Sequence, residues 1–176
     1  GEGLLIVSLS GASPWSVLAQ GISLNVNYSI GAITFIISVV VLIIWIPLKQ
    51  KPGMGTILNA LIIAGMIDLC INFVPSPENF ASQVTLAIFA VLTVGLGGGI
   101  YLIANLGPGA RDGLMIGLQK ATNLPIASVR AFIEISVVSV GWYLGGTVGF
   151  GTLLFAFGIG PAVACGLYLV DKIFNN

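Results

Sequence analysis

Gly53-Met54-Gly55-Thr56 returns as Gly149-Phe150-Gly151-Thr152, and the offset of 96 between the two decides how the rest of the chain is read. In that register Gly3 falls on Gly99, Gly11 on Gly107, Leu18 on Leu114, Gly21 on Gly117, Ile30 on Ile126, Leu48 on Leu144, Leu58 on Leu154 and Ala60 on Ala156. The alignment needs no gap over about 65 residues. Matched Leu or Ile mean little in an apolar chain, but a shared GxGT with further aligned glycines is hard to produce by chance. The reading is a duplication within a single membrane domain, 1–176: a first repeat over 1–71, a linker over 72–79 carrying Pro75 and Pro77, and a second repeat over 80–176.

The composition says what kind of protein was duplicated. Of 176 residues, 57% are hydrophobic and only 7% charged, with a mean hydropathy of +1.09; soluble domains carry roughly 25% charged residues. Six Lys and Arg balance six Asp and Glu, and there is no His. A basic face for nucleic acid is therefore excluded, as is imidazole chemistry. Two cysteines without histidine do not make a zinc set, and no CxxC, P-loop, HExxH or GxSxG motif occurs. Cys70 and Cys165 lie in apolar runs and read as small buried hydrophobes. Neither a cofactor nor an enzymatic activity is expected.

A bilayer core of roughly 30 Å needs about 20 apolar helical residues. Ile30–Leu48, Gly55–Ile71, Phe80–Leu106, Ile126–Leu144 and Gly151–Val170 meet this, separated by Gly and Pro breaks. Pro14–Leu24 and Ala110–Ala121 are too short to cross, since twelve residues of helix cover about 18 Å, and each reads as a half-helix. Gly1–Ser10 reads as the end of a spanning helix that begins upstream, so the first repeat is expected to be truncated at its front.

If each half-helix crosses, the repeats are parallel; if it re-enters, they are inverted. Positive charge chooses between the two. With Lys49 and Lys51 placed in the cytoplasm, inversion brings Lys120 and Lys172 to the same side and leaves the outer loops free of Lys and Arg. The expected fold is an all-α polytopic membrane protein of two inverted three-helix repeats, each with a re-entrant half-helix and six crossings in all when complete.

Charge inside a bilayer costs roughly 2.5–3.5 kcal/mol per group, so the few ionisable residues within the spans need a reason. Arg111 and Asp112 open the second half-helix directly after Gly107-Pro108-Gly109, while Arg130 and Glu134 share one face of the next helix. Free N–H groups and the positive dipole end of a half-helix, together with Arg111, favour an anionic group. Either these charges bind a solute, or Arg111–Asp112 and Arg130–Glu134 pair to pin the re-entrant loop; the two readings are compatible. In the repeat register the charges fall on neutral residues, Arg111 on Trp15, Asp112 on Ser16, Arg130 on Thr34 and Glu134 on Ser38. The candidate binding set is Arg111, Asp112, Arg130, Glu134, Trp15, Ser13 and Gly109. Trp15 either stacks on a solute or sits at the membrane interface. Asp68 and Glu2 rank below these. Gly95, Gly97, Gly98 and Gly99 smooth one helix face for close packing; Thr56 and Asn59 either cap a helix or face the pathway.

The joint order of Gly11-Ala12-Ser13-Pro14-Trp15, Gly53-Met54-Gly55-Thr56-Ile57-Leu58-Asn59, Gly109-Ala110-Arg111-Asp112-Gly113-Leu114-Met115, Arg130 with Glu134, and Gly149-Phe150-Gly151-Thr152 resembles the YczE/YyaS/YitT group of small bacterial membrane proteins, its YczE-like branch most closely. The likeness covers nearly the whole chain. Two positions depart from the group's pattern: Ser16 stands where an Asp usually follows the Trp, and Ala110 where a Pro usually precedes the Arg. The resemblance implies an integral protein of the bacterial cytoplasmic membrane and supplies no substrate. The function expected from the residues is a secondary transporter or permease that binds a small anionic or zwitterionic solute between the half-helices. The alternative is a non-transporting accessory or regulatory protein, or the substrate-binding subunit of a larger transporter. Expected partners are the lipid bilayer and a small solute, with a second copy or another membrane protein in contact.

Overall fold

The computed structural model describes residues 1–174, which form eight helices and no strand. In chain order they are α1 (Glu2–Val7), α2 (Pro14–Asn25), α3 (Ile30–Trp45), α4 (Met54–Phe73), α5 (Phe80–Ala104), α6 (Ala110–Thr122), α7 (Ile126–Tyr143) and α8 (Phe150–Phe174). The short helices α2 and α6 fall where the sequence places Pro14–Leu24 and Ala110–Ala121, segments too short to cross. Pro14 starts α2 at a position where its missing N–H costs nothing, and Gly109 precedes α6.

Four helices, α4, α5, α7 and α8, are long and apolar enough to cross a membrane. Their outward faces carry exposed Leu, Ile, Val and Phe, for example Leu61, Ile62, Phe89, Phe132 and Phe157. Such a surface is stable only against hydrocarbon. The expected span Ile30–Leu48 is shorter than read from the sequence. Helix α3 stops at Trp45 after 16 residues, about 24 Å, and turns 116° away from α2. Its end is a left-handed cap: Lys49 has φ +53°, and Gln50 N–H reaches back to Trp45 O at 3.1 Å. The end of α7 repeats this closure 96 residues on, with Gly145 at φ +98° and Gly146 N–H on Gly141 O at 2.8 Å.

Other local features recur at the same offset. Leu9 and Asn105 both take positive φ, as do Gly11 and Gly107. Gly55 N–H donates to Leu106 O at 2.9 Å, and Gly151 N–H donates to Ser10 O at 2.7 Å, so each GxGT turn is tied to the break that precedes the other half's short helix. In both turns the Thr hydroxyl accepts from the first Gly N–H, Thr56 from Gly53 at 3.1 Å and Thr152 from Gly149 at 3.3 Å. Thr56 also donates to Pro108 O at 2.7 Å. It therefore caps α4 and holds the 107–109 turn at once.

Packing follows the same exchange. Helix α2 lies on α3 and α7, α6 lies on α7 and α3, α1 lies on α4, and α5 lies on α8. The largest core cluster joins Trp15 and Ala19 of α2 to Ile33, Ile37, Val41 and Trp45 of α3, Ala110, Leu114 and Met115 of α6, and Val129 and Ile133 of α7. Trp45 is its anchor: the ring fills the space left by Gly113, and Nε1–H donates to Ala110 O at 3.0 Å. On the α5 face Gly95 admits Ala162 and Gly99 admits Gly166, as expected for close helix packing, whereas Gly97 meets no atom. Cys70 is half-buried and Cys165 exposed, both as free thiols. The expected burial of Cys165 is not observed, because its side of α8 faces outward. Asp68 pairs rather than snorkels, accepting from Ser29 Oγ at 2.6 Å and Gly31 N–H at 2.8 Å.

Candidate binding site

The two half-helices begin at facing points, and this brings the expected residues together. Ser13, Trp15, Gly109, Arg111, Asp112, Arg130 and Glu134 all line one cavity of ≈ 610 Å³, along with Glu2, Ser38, Asn59 and Tyr101. Its remaining wall is mostly apolar, from Ile62, Ile63 and Met66 of α4 to Phe155, Ile159 and Val163 of α8.

The pairing within the cavity differs from the simplest expectation. Arg130 does pair with Glu134, its Nε 2.9 Å from Oε1. Arg111 does not pair with its neighbour Asp112; its Nη1 lies 3.9 Å from Glu2 Oε1, and its guanidinium sits 5.4 Å from the centre of the Trp15 ring. The other Glu2 oxygen accepts from Ser13 Oγ at 2.7 Å and Ser16 Oγ at 2.9 Å. Glu2 is therefore a member of the site that its place in the sequence did not reveal. The aligned hydroxyls of Ser13 and Ser16, three residues apart after a helix break, were the available signal. Trp15 thus serves as a platform for Arg111. It is buried, and among the described residues its Nε1–H is the one buried side-chain donor without an acceptor.

Asp112 has a different status from the other carboxylates. Among the described residues it accepts no hydrogen bond and forms no ion pair, although both guanidinium charges act on it. It occupies the first turn of α6, where the helix dipole favours an acid. Tyr101 Oη donates to Gly107 O at 2.6 Å and braces the turn beside it. Among the described residues no group of His, Cys, Asp and Glu is arranged to hold a metal ion.

Apolar helices of membrane-crossing length around a cavity that carries a few charged side chains define a polytopic helical membrane protein. A family model described as a family of unknown function, DUF6198, matches residues 1–166, and the chain belongs to this family. A protein of Haemophilus influenzae is 40% identical over 173 residues, 98% of this chain and 79% of that protein. The Bacillus subtilis membrane protein YczE is 28% identical over 83% of this chain and 68% of its own length; YyaS of the same organism is 27% identical over 88% and 83%. The YczE/YyaS-like relationship is thereby established, and with it a multi-pass bacterial membrane protein. No solved structure matches the chain.

Proposed function

We propose that the protein is a secondary carrier for a small zwitterionic solute, built from two inverted repeats whose half-helices meet at the binding site, and that it performs no covalent chemistry. The observation that carries this reading is the cavity between the starts of α2 and α6, lined by five charged side chains in an otherwise mostly apolar shell. A twofold relation between the halves is supported by the exchanged contacts, since Gly55 bonds the break of the second half while Gly151 bonds that of the first. Inversion is supported by the charge pattern, which it alone gathers on one side of the membrane as Lys49, Lys51, Lys120 and Lys172.

Of the two solute classes expected from the sequence, the charge inventory favours the zwitterion. Glu2, Asp112 and Glu134 outnumber Arg111 and Arg130 among the side chains of the cavity wall, so a simple anion would add to an existing excess of negative charge. An apolar wall beside the charged one suits a solute with a short hydrocarbon part.

Alternating access is the property that separates a carrier from an accessory protein. In a Cys70→Ser, Cys165→Ser background, Ser38→Cys places a single thiol in the cavity. A membrane-impermeant maleimide applied to either face of oriented vesicles is expected to label it. Labelling from one face only, in every condition tried, would remove the carrier reading and favour an accessory or regulatory role through contact with another membrane protein.

A further inference from the structure

Resting on the carrier reading, we infer that Asp112 and Asn59 seat a protonated amine of the solute, while Arg130 takes its anionic end, which makes the solute class a small zwitterion with a primary or secondary ammonium. The argument is one of unspent hydrogen-bonding capacity. Glu2 is occupied by Ser13, Ser16 and Arg111, and Glu134 by Arg130. Asp112, an acceptor on two oxygens, and the Asn59 amide hold no hydrogen bond among the described residues, although both line the cavity. A guanidinium has five N–H donors, and Arg130 commits its Nε to Glu134, leaving its Nη groups without a protein acceptor. The cavity therefore offers free acceptors with a negative charge and free donors with a positive one.

Gly109 leaves the approach to these two oxygens open. A Cβ built on it would lie 3.1 Å from Asp112 Oδ2 and 3.8 Å from Asn59 Oδ1, so both oxygens flank a space that exists only because residue 109 has no side chain. Its backbone, φ −57° and ψ 155°, is one that any residue adopts. Gly is not needed there for conformation, and the open space is what it contributes. An N–H-bearing cation can donate to both oxygens. A quaternary ammonium cannot donate, and it would need an aromatic face instead. The face of Trp15 is already covered by Arg111.

The test is thermal unfolding of the purified chain in nanodiscs, with the common L-α-amino acids, β-alanine and γ-aminobutyrate added singly, each beside its N-trimethyl derivative and its hydroxy acid. At least one amino acid is expected to raise the melting temperature, and its trimethyl and hydroxy counterparts are not. Asp112→Asn should weaken that amino acid at least tenfold. Gly109→Ala, which leaves every charge in place and fills the space with a methyl group, should do the same while keeping the melting temperature of the free protein. Equal stabilisation by the trimethyl or hydroxy compound, undiminished affinity in Gly109→Ala, or no stabilisation by any amino acid would each overturn the inference. Two-sided labelling of Ser38→Cys would then leave the carrier reading standing without it.

Discussion

Arg111 lies over the indole of Trp15, its guanidinium carbon 5.4 Å from the ring centre. The two residues lie 96 positions apart in the register of the sequence repeat, each second in its short helix. On the proposed twofold reading, a position near the axis contacts its own counterpart, and here one is a cation and the other an aromatic face. Such a contact contributes about 0.5–2 kcal/mol depending on desolvation.

Trp15 should therefore tolerate loss of its N–H but not of its ring. Trp15→Phe keeps a face for Arg111 and removes a buried donor that has no acceptor, so stability is expected to hold or rise by up to about 1 kcal/mol. Trp15→Ala should cost roughly 3–5 kcal/mol. Denaturation in mixed micelles, read by a fluorophore away from α2, checks both. Equal losses in the two variants would mean that the indole N–H has an acceptor after all.

Glu2 holds α1 to the half-helices through three side chains, and its two oxygens do different work. Glu2→Gln retains an amide oxygen for Ser13 and Ser16 but removes the charge facing Arg111, whereas Glu2→Ala removes both. The ion pair is loose at 3.9 Å, so Glu2→Gln is expected to cost about 1 kcal/mol and Glu2→Ala about 2–3 kcal/mol, the difference being the loss of a shared acceptor for two buried hydroxyls, of which Ser13 still reaches Ser16 Oγ at 3.1 Å. A cycle with Arg111→Met should return a coupling of at least about 0.5 kcal/mol. Zero coupling would assign the contact to packing alone.

The two left-handed caps allow a comparison within one molecule. Lys49 and Gly145 close α3 and α7 in the same way, but Lys49 adopts φ +53° with a Cβ, which costs roughly 1–2 kcal/mol relative to a residue without one. Lys49→Gly is expected to stabilise the protein by about 1 kcal/mol, and Gly145→Ala to destabilise it by a similar amount. Unfolding curves of the two variants should move in opposite directions. A Lys49→Gly variant that loses stability would show that the lysine side chain has a role the cap does not explain.

How much of this was legible beforehand follows from the range of each interaction. The breaks at Gly11, Gly53, Gly107 and Gly145, and the short helices between them, are local consequences of glycine and proline, and the internal repeat doubled every such signal. The early end of α3 was misplaced by three residues because Ile46-Pro47-Leu48 is as apolar as the helix before it. What stops the helix is Pro47, which has no N–H to continue the ladder, followed by the left-handed turn at Lys49 and the packing of Trp45 on α6. Arg130–Glu134 was readable at helical spacing. Arg111–Glu2 was not, since no local pattern relates residue 2 to residue 111. Asn59, read as either a cap or a pathway residue, lines the cavity, whereas Tyr101 was brought there by tertiary packing alone.

The duplicated GxGT turns allow the twofold arrangement to be tested by paired substitution. A methyl group at Gly53 would run into Leu106 O, and one at Gly149 into Ser10 O. Gly53→Ala and Gly149→Ala should therefore each cost roughly 1–3 kcal/mol through forced backbone displacement, and by similar amounts. Loss at one turn only would mean that the halves are not held by equivalent contacts.

Sidedness tests the inverted arrangement most directly. Lys51 follows α3, and Lys120 sits in the last turn of α6, where it also complements the dipole of that half-helix. If α6 re-enters, its C-terminal end returns to the side it left, and Lys120 shares a face of the membrane with Lys51. If α6 crossed, the two would lie on opposite faces. At 13 residues α6 covers about 20 Å, well short of a bilayer core of roughly 30 Å, and the tendency of Lys and Arg to remain cytoplasmic acts in the same direction. An impermeant amine-reactive label applied to right-side-out vesicles should miss both lysines, and applied to inverted vesicles should reach both. Single Lys51→Gln and Lys120→Gln variants assign the signal. Labelling of Lys120 from the face opposite Lys51 would mean that α6 crosses, that the repeats run parallel, and that the starts of α2 and α6 do not meet inside the membrane.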